Sequence, residues 1–389
     1  MSQRNGPSRE VIECVSAVIG FDTVSRNSNL ALIEWAAERL DSHGARVRLD
    51  YNDERSKANL LASFGEGPGG VVLSGHTDVV PVDGQVWQSD PFRAEIRDGR
   101  LYGRGACDMK GFIGATMAQA STLGKVRFRE PVHIALSYDE EVGCLGIPGL
   151  IADMRDAGIR PSGCIVGEPT NMQVVSAHKG GRIYRCTVTG CAAHSSLTPS
   201  GVNAIEYASN MISHIQYLGE EEARTGPRID GYDVPFSTIS TNTITGGNGM
   251  NIIPARCEFS FEYRYLPGVA PDRFIDDVRN YAAKHVLPRM RERYPQAAIE
   301  FDCIGDIPAL DERESTELQA LVMGLLGETQ PERVAYGTEA SFFNAVGVPS
   351  IVCGPGSIAV AHRPDEYVSL EQLGACEAFI QKVIRAVTL

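Results

Sequence analysis

Apolar residues recur along this chain with two different periods, which predict different elements. Near the N-terminus, apolar residues from Val11 to Ile19 repeat at helical spacing after Ser8, a favoured helix cap. Farther on, short uninterrupted apolar runs predict strands that are covered on both faces. The next predicted helices are 28–42, 111–123 and 147–155, and the predicted strands are 58–62, 71–73, 132–136 and 163–166. Strands that alternate with helices predict an α/β domain with a largely parallel sheet.

The pattern changes near residue 179, where apolar and polar residues alternate as in half-exposed strands. The predicted order there is strand 182–189, helix 203–218, strands 237–244 and 255–265, and helix 271–285. From about Ala297 the strand–helix alternation resumes, with strand 299–304, helix 315–326, strand 349–352 and helix 370–386. We therefore expect an α/β domain of residues 1–178 and 291–389, interrupted by an α+β insert of ferredoxin-like order at 179–290.

Composition and charge narrow the classes of function. Of the 389 residues, 43% are hydrophobic and 22% are charged, which is ordinary for a chain with a large core. The net charge of -13 argues against nucleic acid or an anionic membrane as the main partner. The chain shows no signal-type apolar segment and no apolar stretch long enough to cross a bilayer. Ten cysteines without a C-x-x-C pair favour the reduced cytoplasm over a disulfide framework.

Ligand-type side chains follow the predicted strands at the points where those strands end. His76 comes after strand 71–73, Asp139-Glu-Glu141 after strand 132–136, and Glu168 after strand 163–166. Because ligands bind at the carboxyl ends of parallel strands, we expect these side chains to meet at one edge of the sheet. Asp78, two residues beyond His76, is placed to accept the second imidazole N–H and to orient the ring for a metal ion.

Other candidate ligands leave two interpretations open. Of the neighbours Glu140 and Glu141, one carboxylate can hold metal while the other transfers a proton. Asp108 precedes a predicted helix, so its carboxylate either caps that helix or bridges two metal ions. Taken alone, Glu168 also fits a turn and His362 also fits a surface loop. Cys107 could be a ligand, but packing beside the site is the favoured interpretation.

Three polar residues of the insert are candidates for contacts with a substrate. His194 lies in a loop of small residues and can donate a hydrogen bond to a developing oxyanion. Asn251 and Arg264 can clamp a substrate carboxylate. Taken singly, each of these residues is more often structural.

Five motifs resemble those of the aminoacylase and carboxypeptidase-like family of di-zinc metallohydrolases, in the order of that family. The similarity extends over almost the whole chain. The motifs are Ser-Gly-His-Thr-Asp at 74–78, Gly-Arg-Gly-x-x-Asp-Met-Lys at 103–110, Asp-Glu-Glu at 139–141, Gly-Glu-Pro-Thr at 167–170 and Ala-His-x-Pro-Asp-Glu at 361–366. Together they are highly specific.

The resemblance implies two Zn²⁺ ions, with Co²⁺ as an alternative, and a role for each candidate residue. It implies His76, Asp108 and Glu168 on one ion, and Asp108, Glu141 and His362 on the other. Asp108 would be the bridge, followed by a cis bond to Met109. Glu140 would be the general base, and Asp78 would orient His76.

The same resemblance implies that the insert is a lid through which the chain forms a homodimer. His194 would stabilise the oxyanion, within its own chain or from the partner subunit. Contacts with a small N-acyl amino acid substrate are implied for Asn251, Arg264, Gly337, Thr338 and Gly354.

The activity implied by the resemblance is hydrolysis of an N-acyl amide on a small amino acid, with N2-acetyl-L-ornithine as the preferred substrate. N-succinyl-diaminopimelate and dipeptides are alternatives, because the segment at 246–254 fits enzymes of either acyl preference. A non-catalytic amino-acid-binding protein of the same fold is a third alternative. The presence of Glu140 and of every ligand disfavours it.

Overall fold

The structure is a computed structural model that describes residues 6–389, and these residues form two compact units. The larger unit comprises residues 6–177 with Leu310–Arg333 and Thr338–Leu389. The smaller unit comprises His178–Ala309 and Val334–Gly337.

Helices and strands alternate through most of the described chain. The α-helices are α1 (Arg9–Ile19), α2 (Leu30–Asp41), α3 (Lys110–Met117), α4 (Ala120–Leu123), α5 (Ile147–Asp156), α6 (Ala204–Thr225), α7 (Arg273–Tyr281), α8 (Leu287–Arg291), α9 (Thr316–Leu326), α10 (Ala340–Ala345) and α11 (Leu370–Val387). The strands are β1 (Arg46–Tyr51), β2 (Ala58–Phe64), β3 (Val71–His76), β4 (Glu95–Arg97), β5 (Arg100–Tyr102), β6 (Val132–Ser137), β7 (Gly163–Pro169), β8 (Val175–His178), β9 (Gly180–Thr189), β10 (Ala193–His194), β11 (Thr238–Gly246), β12 (Ile252–Ile253), β13 (Arg256–Tyr265), β14 (Ala298–Ile307), β15 (Glu332–Val334), β16 (Ser350–Gly354) and β17 (Tyr367–Ser369).

An eight-stranded sheet of order β1-β2-β6-β3-β7-β16-β8-β15 confirms the predicted α/β class. Its four central strands, β6, β3, β7 and β16, run parallel, whereas β1, β2 and β8 pair antiparallel with their neighbours. Every residue of β2, β3, β6, β7 and β16 is buried. Strands covered on both faces explain the uninterrupted apolar runs in the sequence.

The N-terminal helices pack closely enough to position the segment that carries Asp108. The Ser8 hydroxyl caps α1 by accepting the N–H of Val11, as the sequence predicts. Where α1 crosses α3, a Cβ at Gly114 would lie 2.5 Å from the Cα of Val15, so only glycine permits this approach. The predicted single helix 111–123 is divided into α3 and α4.

The smaller unit holds an antiparallel sheet of order β11-β13-β9-β14. Buried and partly exposed residues alternate along β13, and the buried side chains pack against α6 and α7. The sequence pattern assigns strand 299–304 to the larger domain and ends the insert at residue 290. That assignment is wrong: β14 pairs with β9 and completes the strand–helix–strand–strand–helix–strand order of a ferredoxin-like unit.

Among the helices of residues 6–389, none is both long enough and apolar enough to span a membrane. All ten cysteines are free thiols, and Cys107 is fully buried. Its thiol donates a hydrogen bond to the backbone oxygen of Ser357 at 3.2 Å. Cys107 thus packs against the chain and belongs to neither group of potential metal ligands.

Candidate metal centre

Three parallel strands bring His76, Glu168 and the two adjacent glutamates to one edge of the large sheet. His76 is the last residue of β3, Glu168 lies near the end of β7, and Glu140 and Glu141 follow the end of β6. The strands β6, β3 and β7 are neighbours and run in the same direction. The shared edge predicted from the sequence is therefore present, with all four side chains in the larger unit.

The first group of potential ligands is His76, Asp108 and Glu168, all buried. Nε2 of His76 lies 3.0 Å from Oδ1 of Asp108 and 3.4 Å from Oε1 of Glu168. The Nδ1 atom of His76 lies 2.9 Å from the backbone oxygen of Asp78. Because a carbonyl only accepts, Nδ1 carries the proton, and Nε2 of the neutral ring has a free lone pair for a metal ion.

The second group is Asp108, Glu141 and His362. Nε2 of His362 lies 3.3 Å from Oδ2 of Asp108 and 3.1 Å from Oε2 of Glu141. The two oxygens of Asp108 thus face different histidines. This arrangement favours the bridging interpretation of Asp108 over the capping one. The N-cap residue of α3 is Met109, without a side-chain capping hydrogen bond.

These residues fit a pair of metal ions in spacing and in chemistry. Two donors on one tetrahedral zinc, each about 2.0–2.1 Å from the ion, are separated by about 3.3 Å. The measured separations in the two groups are 3.0, 3.4, 3.3 and 3.1 Å. Oε1 of Glu141 and Oε1 of Glu168 are buried and accept no hydrogen bond within residues 6–389. Mixed imidazole and carboxylate donors suit zinc and its transition-metal neighbours.

In the absence of a cation, burial and neighbouring carboxylates shift the pKa values of the potential ligands strongly. Burial and the charge of Asp108 raise the pKa of Glu168 to about 8. Hydrogen bonds to Asp108 and Glu141 raise the pKa of His362 to about 10. Burial alone would lower the pKa of His76, but the surrounding carboxylates outweigh it and hold that pKa well above its ordinary value. A divalent cation would replace these retained protons.

The carboxylate of Asp78 does a different task from the one that the sequence suggested. It lies 3.6 Å from Nδ1 of His76, beyond hydrogen-bond distance. Its Oδ1 accepts the backbone N–H of Glu140 at 3.0 Å, and its Oδ2 accepts the N–H of Glu141 at 3.3 Å. Oδ2 also accepts the hydroxyl of Ser25 at 2.7 Å. Asp78 therefore holds the ring of His76 through its main chain and holds the glutamate loop through its side chain.

Glu140 lies beside both groups and belongs to neither. Burial raises the pKa of its carboxyl well above the ordinary value, and the charges of Glu168 and Glu141 add to this effect. The thiol of Cys144 lies 3.7 Å from Oε1 of Glu140. A carboxyl group that binds no metal and has a raised pKa is suited to accept and return a proton.

Four of the proposed substrate-side residues belong to the smaller unit. His194 in β10 is exposed, and its Nδ1 lies 2.7 Å from the hydroxyl of Ser196. Asn251 is exposed and directly precedes β12, the strand that pairs with β10. Arg264 in β13 pairs with Glu262 at 2.6 Å. Gly337 packs against Ile307, whose Cγ2 would lie 2.8 Å from an added Cβ. Their contacts with a substrate stay predictions.

Thr338 and Gly354 belong to the larger unit and are buried. The hydroxyl of Thr338 accepts the backbone N–H of Ala340 at the start of α10. At Gly354 an added Cβ would lie 2.0 Å from the backbone oxygen of Gly167. Gly354 thus lets β16 approach the strand that carries Glu168, and its surroundings indicate packing rather than contact with a substrate.

Two further glutamates near the centre, Glu339 and Glu366, are buried but are not among the site residues expected from the sequence. Glu339 accepts the hydroxyl of Ser137 at 2.8 Å, and burial raises its pKa to about 7. Glu366 accepts the backbone N–H groups of Cys107 and Asp108. Glu366 lies within the Ala-His-x-Pro-Asp-Glu motif and Glu339 within Gly-Thr-Glu-Ala at 337–340. The signal was present, but acidic residues in loops are usually exposed, and only the fold shows these two to be buried.

The similarity of this chain to a known protein family and to known relatives is consistent with the candidate metal centre. The sequence model of Peptidase family M20/M25/M40 matches residues 72–386. The described cis bond between Asp108 and Met109 agrees with the expectation drawn from the family resemblance.

Two relatives carry the same name. The acetylornithine deacetylase of Pasteurella multocida is 36% identical over 381 residues, which cover 96% of this chain and 97% of the relative. The acetylornithine deacetylase of Myxococcus xanthus is 34% identical over 380 residues, covering 95% of each chain.

A solved structure supports the fold independently. The M20 family metallo-carboxypeptidase of Sulfolobus solfataricus superposes with a TM-score of 0.76 at 16% identity, covering 97% of this chain and 99% of that one. At this level of identity the likeness shows the fold alone.

Proposed function

We propose, since this chain belongs to Peptidase family M20/M25/M40, that it is a metal-dependent amidohydrolase that acts on N2-acetyl-L-ornithine. The products are L-ornithine and acetate. The observation that carries the proposal is the pair of ligand groups that share Asp108, with the carboxyl group of Glu140 beside them. The choice of substrate is supported by the two relatives that match this chain over nearly its whole length.

The proposed chemistry depends on which groups bind the metal ions and which group transfers a proton. Two divalent ions, when bound, would lower the pKa of water and polarise an amide carbonyl. Glu140 takes a proton from the attacking water on a carboxylate oxygen and delivers it to the nitrogen of the leaving amine. Asp78 keeps Glu140 in place through the hydrogen bond to its backbone N–H.

The remaining assignments belong to the same proposal. The ions are Zn²⁺, with Co²⁺ as a substitute, and the donors are those of the two groups. His194 stabilises the oxyanion, Asn251 and Arg264 bind the substrate carboxylate, and Gly337 and Thr338 make further contacts with the substrate. The protein forms a homodimer through the smaller unit and serves arginine biosynthesis in the cytoplasm. Free thiols at all ten cysteines are compatible with that compartment.

A substrate panel on zinc-reconstituted protein tests the proposal. N2-acetyl-L-ornithine, N-succinyl-diaminopimelate and a dipeptide are compared by kcat/KM at equal metal content. We expect acetylornithine to exceed the others by at least about tenfold, because a site built for one polar substrate leaves buried groups unpaired with another.

Each result of the panel has a distinct meaning. Faster turnover of the succinyl compound or the dipeptide would overturn the substrate assignment and keep the amidohydrolase. A protein that holds two zinc ions but cleaves none of the amides would overturn the proposed function itself.

A further inference from the structure

A buried ion pair lies behind the metal centre, between Arg104 and Glu366. Nη1 of Arg104 lies 2.6 Å from Oε2 of Glu366, and each side chain is only 1% exposed. Neither residue belongs to the two ligand groups. A buried pair of this kind is weak evidence for stability, because desolvation of the two charges offsets most of their attraction. The bonds that the pair makes to its surroundings point to another role.

Glu366 holds the main chain of the bridging ligand. Its Oε1 accepts the backbone N–H of Cys107 at 2.9 Å and that of Asp108 at 3.1 Å. The backbone oxygen of Glu366 accepts the N–H of Gly103 at 3.0 Å. The segment that ends in Asp108 is thus attached at both ends to one residue of the loop that follows His362.

Arg104 and its partner Gln85 hold the segment that carries His362. Nη1 of Arg104 lies 3.3 Å from the backbone oxygen of Arg363, and Nη2 lies 2.6 Å from Oε1 of Gln85. The amide nitrogen of Gln85 donates to the backbone oxygen of His362 at 3.1 Å. His362 itself has a φ of 63°, a left-handed conformation that a non-glycine residue keeps only when its surroundings hold it.

We propose that Arg104 and Glu366 are positioning residues that hold Asp108 and His362 in register for the second metal ion. Two of the three ligands in the Asp108–Glu141–His362 group lie on segments held by the pair. Only Asp108 does so in the His76–Asp108–Glu168 group. Loss of the pair should therefore weaken the second ion more than the first. The inference rests on the metal centre of the proposed function but not on its substrate.

The test is a metal titration of the full chain after chelation, with Co²⁺ followed by its visible absorption and by calorimetry. The variant is Glu366→Gln, which keeps an oxygen acceptor but removes the charge. We expect two ions per chain in the original protein. In the variant, we expect the second ion to bind about 10–100-fold more weakly, the usual effect of losing a partner that orients a ligand, while the first changes less than about threefold.

Two reference variants identify the affected ion and exclude a general effect. Glu141→Gln removes a ligand of the second group alone, so its remaining site gives the affinity expected for the first ion. Glu222→Gln makes the same chemical change at a buried glutamate of the smaller unit that pairs with Arg273 at 3.1 Å. This control should leave both affinities unchanged.

A double variant, Arg104→Met with Glu366→Met, separates positioning from simple support of the fold. Replacing a buried ion pair by apolar residues is often neutral for stability. Such a variant should lose less thermal stability than Glu366→Met alone, which leaves the charge of Arg104 buried without a partner, but its second ion should still bind weakly, because the N–H groups of Cys107 and Asp108 have lost their acceptor. Should the variants of Glu366 not fold, Gln85→Ala cuts the link to His362 at a partly exposed residue and should also weaken the second ion.

The possible failures can be told apart. Two ions bound by Glu366→Gln as tightly as by the original protein would overturn the positioning role, as would recovery of both affinities in the double variant. An original chain that binds fewer than two ions would instead overturn the metal centre of the proposed function.

Discussion

At the scale of single residues, surroundings give identical side chains different tasks. Glu140 and Glu141 are neighbours in the sequence, yet only Glu141 faces a histidine of the second group, at 3.1 Å from Nε2 of His362. Glu140 belongs to neither group, and desolvation of its carboxyl group raises its pKa. The residue types alone left open which of the two transfers a proton, the family resemblance implied Glu140, and the absence of Glu140 from both ligand groups of the described residues is consistent with that proposal.

Replacing Glu140 by glutamine tests this division. Glu140→Gln should lose about 10²–10⁴-fold in kcat, the usual contribution of a general acid–base residue. Its zinc content should not change, since Glu140 is not among the ligands. Glu141→Gln is the matched comparison at the next position and should lose metal as well as activity. The assay pairs steady-state kinetics with metal analysis of the same samples, and an active, fully loaded Glu140→Gln protein would refute the role.

At the scale of elements, the close approach of β16 to β7 keeps Glu168 in place. An added Cβ at Gly354 would lie 2.0 Å from the backbone oxygen of Gly167 and 2.6 Å from that of Glu168. Because these contacts involve backbone, neither strand can relieve them by turning a side chain. Gly354 therefore permits the close packing of β16 against the strand that carries Glu168, which the Gly-Pro-Gly-Ser sequence at 354–357 does not by itself reveal.

The prediction at this scale is that Gly354→Ala separates the two strands at the ligand. Overpacking of this kind destabilises a core by about 1–3 kcal/mol, and here it should also displace Glu168 and weaken the first metal ion. Gly324→Ala is the control, since an added Cβ in α9 would meet nothing within 4 Å and should be neutral or stabilising. Denaturant unfolding measures the loss of stability, and metal titration measures the affinity for the first ion. An unchanged unfolding midpoint and unchanged metal affinity in Gly354→Ala would show that this strand contact does not position Glu168.

At the scale of the whole molecule, acidic side chains are concentrated at the candidate metal centre. Its net charge is -13, and the larger unit buries the carboxylates of Asp78, Asp108 and Glu168 at one sheet edge. Such crowding opposes folding unless protons or metal ions balance it. Bound cations should therefore stabilise the larger unit.

Removal of metal should therefore destabilise the protein. An ion at 100 times its dissociation constant contributes about 2.7 kcal/mol, so chelation should lower Tm by roughly 5–10 °C for a unit of this size. Added zinc should restore Tm, and added magnesium should not, because imidazole donors suit zinc. Calorimetry with and without chelator measures the shift, and a Tm that does not respond would count against the centre.

Both ions should bind more weakly in acid, because each ligand group contains a residue that holds a proton when no metal is bound. Without metal, the pKa of His362 is about 10 and that of Glu168 is about 8, so both hold protons at pH 7. Binding displaces those protons, and the apparent affinity should fall about tenfold per pH unit for each proton displaced. Titrations between pH 6 and 8 follow this dependence, which a preformed, proton-free site would not show.

The sequence by itself determined most of the longer helices and strands and the candidate metal ligands. Buried strands such as β3 and β6 appear as uninterrupted apolar runs because both of their faces are covered, and the ligands follow where those runs end. The alternating pattern of 299–304 also carried a signal, since such alternation fits an open sheet face better than a doubly covered one. Because the strand lies after the predicted end of the insert, the sequence pattern nevertheless assigns it to the larger unit, which is wrong.

Only the tertiary structure decided how those groups act on one another. The contacts that define the site join segments that are remote in sequence. They are the approach of Asp108 to His76 and His362, the hydrogen bond from the backbone of Glu140 to the Asp78 carboxylate, and the hydrogen bond from the backbone of Asp108 to the buried Glu366. Local patterns record which face of an element is buried, because that depends on each element's own periodicity. They do not record which distant backbone N–H a buried carboxylate will meet, because that depends on how the elements pack.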